Sequence, residues 1–328
     1  MVPATTTVDL VTCASLLLLI FAVTKKRKMK ITITGSLGHI SKPLTEELVQ
    51  KGHEVTVISS KPERQKDIEA LGAIAAIGTM QDADFLAAAF SGADIVYLME
   101  TMGAGRFSDR NIDVIGTITQ IGRNYKEAIE KSGVKQVVHL SSIGAHTDKG
   151  NGMLAFHYNV EQILNQLPAD VSVKFMRPVG FYYNMLAFIP TIKAQGVIVS
   201  NYGGDDKEPW VSPLDIAAVI AEEMGKPFNG RTIRYIASEE LSPNEVAQIL
   251  GEAIGKPDLK WLIIPDEQML QGMLGAGMNP GVAKGLVEMN AGRRGGALYE
   301  DYNRHKLVLS KTKLKEWTRE FAFVYNQK

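Results

Sequence analysis

The sequence predicts an α/β fold: a Rossmann-type, doubly wound parallel sheet with a smaller, mainly helical C-terminal lobe. Two observations carry this. Short apolar, β-branched runs alternate strictly with amphipathic helical stretches from Lys30 onward, and such alternation requires parallel crossovers. A glycine-marked turn also separates the first strand from the first helix. The 328 residues, 45% of them hydrophobic and 22% charged, can bury a core of that size.

The elements follow in order. KITITG (30–35) reads as the first strand and KPLTEELVQKG (42–52) as a helix with Leu44, Leu48 and Val49 on one face, closed by Gly52. HEVTVISS is the second strand, PERQKDIEALG the second helix and AIAAI a short third strand. DADFLAAAFSG is a helix capped by Asp82 or Asp84, and ADIVYLME the fourth strand. A long helix runs from Asn111 to Ser132, KQVVHLSS is the fifth strand, AFHYNVEQILNQL a helix and VSVKFMRPVG the sixth strand. The runs are apolar enough to be buried on both faces, as parallel strands are. Beyond Gly180 the alternation stops, so residues 29–180 are assigned to the nucleotide-binding domain and 181–328 to a substrate lobe. Part of 208–240 is expected to return to the sheet.

Charge and cysteine content narrow the function classes. Lys plus Arg and Asp plus Glu both total 36, which argues against an electrostatic nucleic-acid binder. One cysteine, Cys13, permits no intrachain disulfide and fits a reducing, cytoplasmic setting. No metal-ligand spacing and no GxSxG elbow occurs, so no metal is expected. Residues 10–23, LVTCASLLLLIFAV, precede Lys25, Lys26, Arg27 and Lys28. That run is shorter than the roughly 20 residues of a membrane span, and its charges follow it where a secretory signal carries them first. Two readings of 1–28 stand: an extension from an upstream start, since Met29 abuts the first strand, or a short anchor, the one route to a membrane.

The turn GSLGHIS (35–41) sits where a dinucleotide pyrophosphate binds in such folds. Gly35 permits the tight exit from the strand, Gly38 lets a phosphate approach backbone amides, and Ser41 replaces the usual third glycine at the cost of one small side chain. An NAD site places an acid at the end of the second strand, about 20 residues on. Here the strand ends VISSKPER, and Ser59, Ser60, Lys61 and Arg64 suit a 2′-phosphate, so NADP(H) is expected over NAD(H).

The GSLG turn, SSKPER, MQDADFLAAAFSGADIVYLM, HLSSIGA and MRPVGFYYN, in this order and spacing, together resemble the NmrA-like family of atypical short-chain dehydrogenases/reductases. The family includes NADPH-dependent quinone reductases and redox-sensing regulators. The resemblance covers roughly 29–265. It implies that Gly35, Ser36, Leu37, Gly38, His39 and Ile40 hold the pyrophosphate and that Ser59, Ser60, Lys61 and Arg64 hold the adenosine phosphate. It implies further that Glu100, Thr101, Ser141, Ser142 and Ile143 flank the nicotinamide. The family's Lys or His four residues before the helix Glu falls on His157, ahead of Glu161, pointing towards the nicotinamide ribose. The turn at Pro178 and Val179 lies beside the nicotinamide in the family, with Phe181, Tyr182 and Tyr183 lining the substrate cleft. His157 and Tyr182 are the candidate catalytic residues.

The chain departs from orthodox members in one respect. Tyr158 is followed four residues later by Gln162, so the Tyr-x-x-x-Lys pair is missing from this helix. Another such pair, Tyr302 to Lys306, is far from any strand end. In the lobe, Asp215 reads as a helix cap and Ser242 as another, while the Met- and Gly-rich segment 265–289 suits either an adaptable lid or core filling. The expectation is an NADP(H)-dependent oxidoreductase that passes hydride to a small conjugated acceptor, such as a quinone or enone. Two alternatives stand beside it: a cofactor sensor that acts on a protein partner without turnover, and an epimerase or dehydratase, which would need the missing tyrosine.

Overall fold

The computed structural model describes residues 27–102, 109–305 and 308–327. Its first half alternates as the sequence predicts: β1 (Lys30–Ile33), α1 (Ser41–Gln50), β2 (Glu54–Ser59), α2 (Gln65–Ala70), β3 (Ile74–Ile77), α3 (Ala83–Phe90) and β4 (Ile95–Leu98). There follow α4 (Val114–Ser132), β5 (Gln136–Leu140), α5 (Ala155–Asn165) and β6 (Ser172–Pro178). Most boundaries have local causes. Asp82 caps α3 by accepting from the amides of Asp84 and Phe85, both at 3.0 Å. Helix α4 begins three residues later than expected, because Asp113 is extended and accepts from Gly116 N at 2.9 Å, which makes it the cap.

Past β6 come β7 (Gly180–Phe181), α6 (Ile189–Gln195), β8 (Val197–Ser200), β9 (Glu208–Val211), α7 (Pro213–Met224) and β10 (Arg231–Ile236). Then follow β11 (Glu239–Leu241), α8 (Pro243–Ala253), β12 (Lys260–Ile263), α9 (Asp266–Gly275), α10 (Pro280–Arg294), α11 (Glu300–Arg304) and α12 (Leu314–Asn326). A seven-stranded, wholly parallel sheet has the order β10-β6-β5-β4-β1-β2-β3. Strand β10 thus comes back from the second half of the chain to lie beside β6. One face packs α1 and α7 through Leu44, Leu48, Ile216 and Ile220; the other packs α3, α4 and α5 through Phe90, Tyr125 and Val160. Strand order reverses between β1 and β4, where such sheets open a crevice at the carboxyl ends of their strands.

The lobe has its own core of Tyr182, Met185, Trp210, Leu250, Trp261, Trp317 and Phe321. Ser242 accepts from Glu245 N while Glu245 accepts from Ser242 N, a reciprocal capping box that starts α8. Asp215 is not the cap of α7; Ser212 is. The Asp215 carboxylate instead accepts from Ser238 Oγ (2.6 Å) and from Thr312 N (3.0 Å) and Oγ1 (2.9 Å), pinning the segment before α12 to the first turn of α7. Among the described residues no helix is long and apolar enough to cross a membrane; residues 10–23 lie outside them.

Candidate functional site

The β1–α1 turn is built by its glycines. Gly35 has φ +89°, and a Cβ there would lie 2.6 Å from Ser41 Oγ and 2.7 Å from Met99 Sδ, so neither conformation nor space admits a side chain. Ser41 occupies the third-glycine position at no loss of pairing, because its hydroxyl donates to Thr34 O at 3.0 Å. Gly38 differs from Gly35. Its φ is not positive, and a Cβ would meet only Gly35 O at 3.3 Å. Gly38 and His39 are exposed, Leu37 and Ile40 pack on the core, and no side chain caps the N-terminus of α1. An open helix N-terminus beside a bare backbone fits an anionic ligand.

The acid-free end of β2 meets this turn directly. Ser36, at φ +53°, donates from its amide to Ile58 O (3.1 Å) and from its hydroxyl to Ser59 Oγ (2.9 Å). Ser59 is buried and accepts from Lys61 N (3.2 Å), while Ser60 and Lys61 are exposed and Arg64 is half-buried at the end of the 3₁₀ turn that precedes α2. The Ser59 hydroxyl at the end of β2 therefore meets the glycine turn, and Lys61 and Arg64 follow it along the chain, with no carboxylate on that strand end.

The ends of β4, β5 and β6 adjoin the same crevice. Thr34 Oγ1 accepts from Met99 N (2.8 Å), tying β1 to β4, and Ile143 N donates to Pro178 O (2.9 Å), tying β5 to β6. Val179 N donates to Ile236 O on β10. Thr101 is exposed; Ser142, Pro178 and Val179 are buried. The Glu100 carboxylate turns inward and accepts from His139 Nε2. His157, half-buried on α5, packs its ring on Phe156 with centroids 4.0 Å apart. Burial, and then the nearby His139, hold the His157 imidazole well below the usual histidine range, so it is neutral.

Tyr182 is placed away from the crevice. It is fully buried, stacks at 6.0 Å on Trp317 and donates its hydroxyl to Thr312 O (3.2 Å), and burial pushes its pKa upward. The lobe core claims this residue because the chain turns it inward just after β7. Its neighbour Tyr183 is the one that reaches the turn, stacking on His39 with ring centroids 4.1 Å apart. Tyr302 is also buried, its hydroxyl donating to Glu240 (3.0 Å).

Sequence reasoning missed a buried network behind the site. Arg177 donates to both oxygens of Glu161 (2.9 and 2.6 Å), to Asp301 (3.0 Å) and to Tyr235 OH (3.2 Å). Ser141 Oγ donates to Glu161 at 2.5 Å, and Tyr235 OH to Asp301 at 2.7 Å. This ties α5, the helix of His157, to β6, β10 and the C-terminal α11. The available signals were an arginine inside the apolar strand FMRPV and a glutamate on the apolar stripe of α5.

A model of the NmrA-like family matches residues 27–317. The NAD(P)H azoreductase of Xenophilus azovorans is 25% identical over 262 residues, 80% of this chain and 86% of that protein. An Escherichia coli NADPH-dependent quinone oxidoreductase, solved with NADPH, superposes with a TM-score of 0.74 at 20% identity, over 89% of this chain and 99% of that one. The Citrobacter sp. triphenylmethane reductase, solved with NADP(H), gives 0.68 at 18% identity over the same shares.

Proposed function

The chain belongs to the NmrA-like family, and from that premise we propose that it is an NADP(H)-dependent oxidoreductase acting on a small conjugated acceptor such as a quinone or enone. The observation that carries this is the junction of the open α1 N-terminus with the end of β2 through the 2.9 Å Ser36–Ser59 bond. Gly35 to Ile40 would hold the pyrophosphate, and Ser59, Ser60, Lys61 and Arg64 the 2′-phosphate, hence the preference over NAD(H). The names of the azoreductase and quinone-reductase relatives support reductase chemistry. When bound, NADPH supplies the hydride.

The protein's part is orientation. Neutral His157 would position the nicotinamide ribose from α5, and the backbone at Thr101, Ser142, Ile143 and Val179 would bound the ring. Tyr182 is assigned to packing, and Tyr183 with His39 to the rim of the cleft. Helix α5 offers Tyr158 and Gln162 where orthodox members carry Tyr and Lys, so reduction would draw its proton from water.

The test is NADPH and NADH consumption by purified protein with a panel of quinones and enones. NADPH oxidation that depends on the acceptor is expected. His157→Ala should keep most NADPH binding and lower turnover roughly ten- to a hundred-fold, as misplacement by about 1 Å can. NADPH binding without turnover on any acceptor would favour the sensor alternative, and failure to bind NADPH would overturn the proposal.

A further inference from the structure

The Met- and Gly-rich segment 265–289 takes no part in the proposed function, and its second half opens α10. This helix is fixed at both ends and in its middle. At its start the Asn279 side chain accepts from Gly281 N (2.8 Å) and Val282 N (3.1 Å) and donates to Asp109 O (2.6 Å) and Ile112 O (3.0 Å), which ties it to the chain entering α4. At its end Arg293 donates to both oxygens of Glu208 (3.0 and 2.7 Å), its guanidinium lying over the rings of Tyr202 and Trp210 at 4.1 and 4.8 Å. Between these anchors Gly285 and Gly292 meet the stretch 150–153 that leads into α5. A Cβ on Gly285 would lie 2.9 Å from Met153 Cγ, and one on Gly292 would press closer still on Gly150 O. The glycines thus let α10 approach the backbone of that stretch, and the helix stands as a wall, not a lid.

The face so placed is apolar. Met153 and Val282 are buried in it, and four half-buried side chains pack on the same cluster: Met102 from the end of β4, Phe156 from α5, Met278 just before α10 and Leu286 on it. Phe156 also carries the ring of His157, with centroids 4.0 Å apart and planes tilted by 36°. The wall therefore runs from α10 to the residue placed at the nicotinamide end of the site. Its polar neighbours are engaged elsewhere, since the Asn279 amide is spent on the bonds above and Lys284 and Glu288 of α10 are exposed.

We infer that Met102, Phe156, Met278 and Leu286 are specificity-determining residues for the hydride acceptor, selecting an uncharged aromatic ring that carries an apolar substituent. This rests on the placement of His157 given under the proposed function. Thioethers adapt to neighbouring shapes and make favourable contacts with aromatic rings, which suits a flat acceptor. A charged substituent against this face would lose hydration and gain no partner. An alkyl substituent gains affinity with each methylene it buries.

The experiment measures kcat/KM with NADPH for 1,4-naphthoquinones bearing 2-methyl, 2-ethyl and 2-propyl groups, a series that changes apolar length and leaves the ring the same. In wild type the value should rise about two- to fourfold per added methylene, fourfold corresponding to full burial. Met278→Ser and Leu286→Ser should each flatten the rise. Loss of folding or of cofactor binding would lower all three values together, so the ratio between substrates is the readout. In parallel, the cofactor-free protein labelled at its 13 methionine methyls is titrated with the 2-propyl compound by NMR, with signals assigned from Met→Leu variants. The Met102 and Met278 signals should shift. A flat series in wild type, or a rise that both folded serine variants keep, overturns the inference and leaves the proposed function standing. Shifts of Met102 and Met278 without NADPH oxidation on any acceptor would uphold the wall as the ring's binding surface and overturn the proposed function instead.

Discussion

Gly35 and Gly38 lie three residues apart in one turn, yet substitution should separate folding from binding. Gly35→Ala forces an L-residue to φ +89°, a left-handed conformation that costs about 1–2 kcal/mol. Its Cβ would also press within 2.6–2.8 Å of Ser41 Oγ and Met99, overpacking worth another 1–3 kcal/mol, roughly. The sum, about 2–5 kcal/mol, is a large share of a domain's stability. Gly38→Ala meets only Gly35 O at 3.3 Å and needs no unusual backbone, so its stability should stay within about 1 kcal/mol of wild type. A methyl there would stand where a pyrophosphate must approach, and NADPH affinity should fall at least tenfold, about 1.4 kcal/mol. Urea unfolding measures the first quantity and NADPH fluorescence titration the second. Equal destabilisation by the two variants, or unchanged NADPH binding in folded Gly38→Ala, would refute the reasoning.

Lys61→Glu should narrow or reverse a preference for NADPH over NADH, since a charge-assisted contact of about 1.5–3 kcal/mol is lost and a repulsion gained; comparative cofactor titrations read this. Arg177→Met would strand the buried Glu161 carboxylate and should cost about 3–5 kcal/mol in urea unfolding, whereas an unaltered midpoint would deny the network its structural role. Glu223 is pushed up by burial, but hydrogen bonds from Lys226, Arg234 and Lys174 win and hold it at about 2 against an ordinary 4.5. A depressed carboxyl pKa stabilises the fold above 4.5, and that contribution fades as pH falls towards 2. The urea midpoint should drop through this window in wild type and less so in Glu223→Gln.

What the sequence determined by itself was everything encoded over a few residues. Alternating strands and helices gave the parallel sheet, Asp82 and the Ser242–Glu245 box gave helix starts, and the spacing of Gly35 and Gly38, with no acid at Ser59, Ser60 or Lys61, gave the candidate cofactor turn. These rest on backbone conformation and hydrogen bonds between near neighbours, so they survive without knowledge of the rest of the chain. Tertiary structure decided where polar groups went once buried. Asp215 reads in sequence as a helix cap, a role that Ser212 takes, and nothing local marks it as the clamp on Thr312, 97 residues away. Tyr182 and Tyr183 are indistinguishable in sequence, and one rotation along the chain sends the first into the Trp317 core and the second to His39. Glu161 with Arg177 and Asp301, and Glu100 with His139, join residues 16, 124 and 39 positions apart. A buried charge must find a partner among whatever the packing brings near it, and that neighbourhood exists only after the sheet and its helices have closed around it.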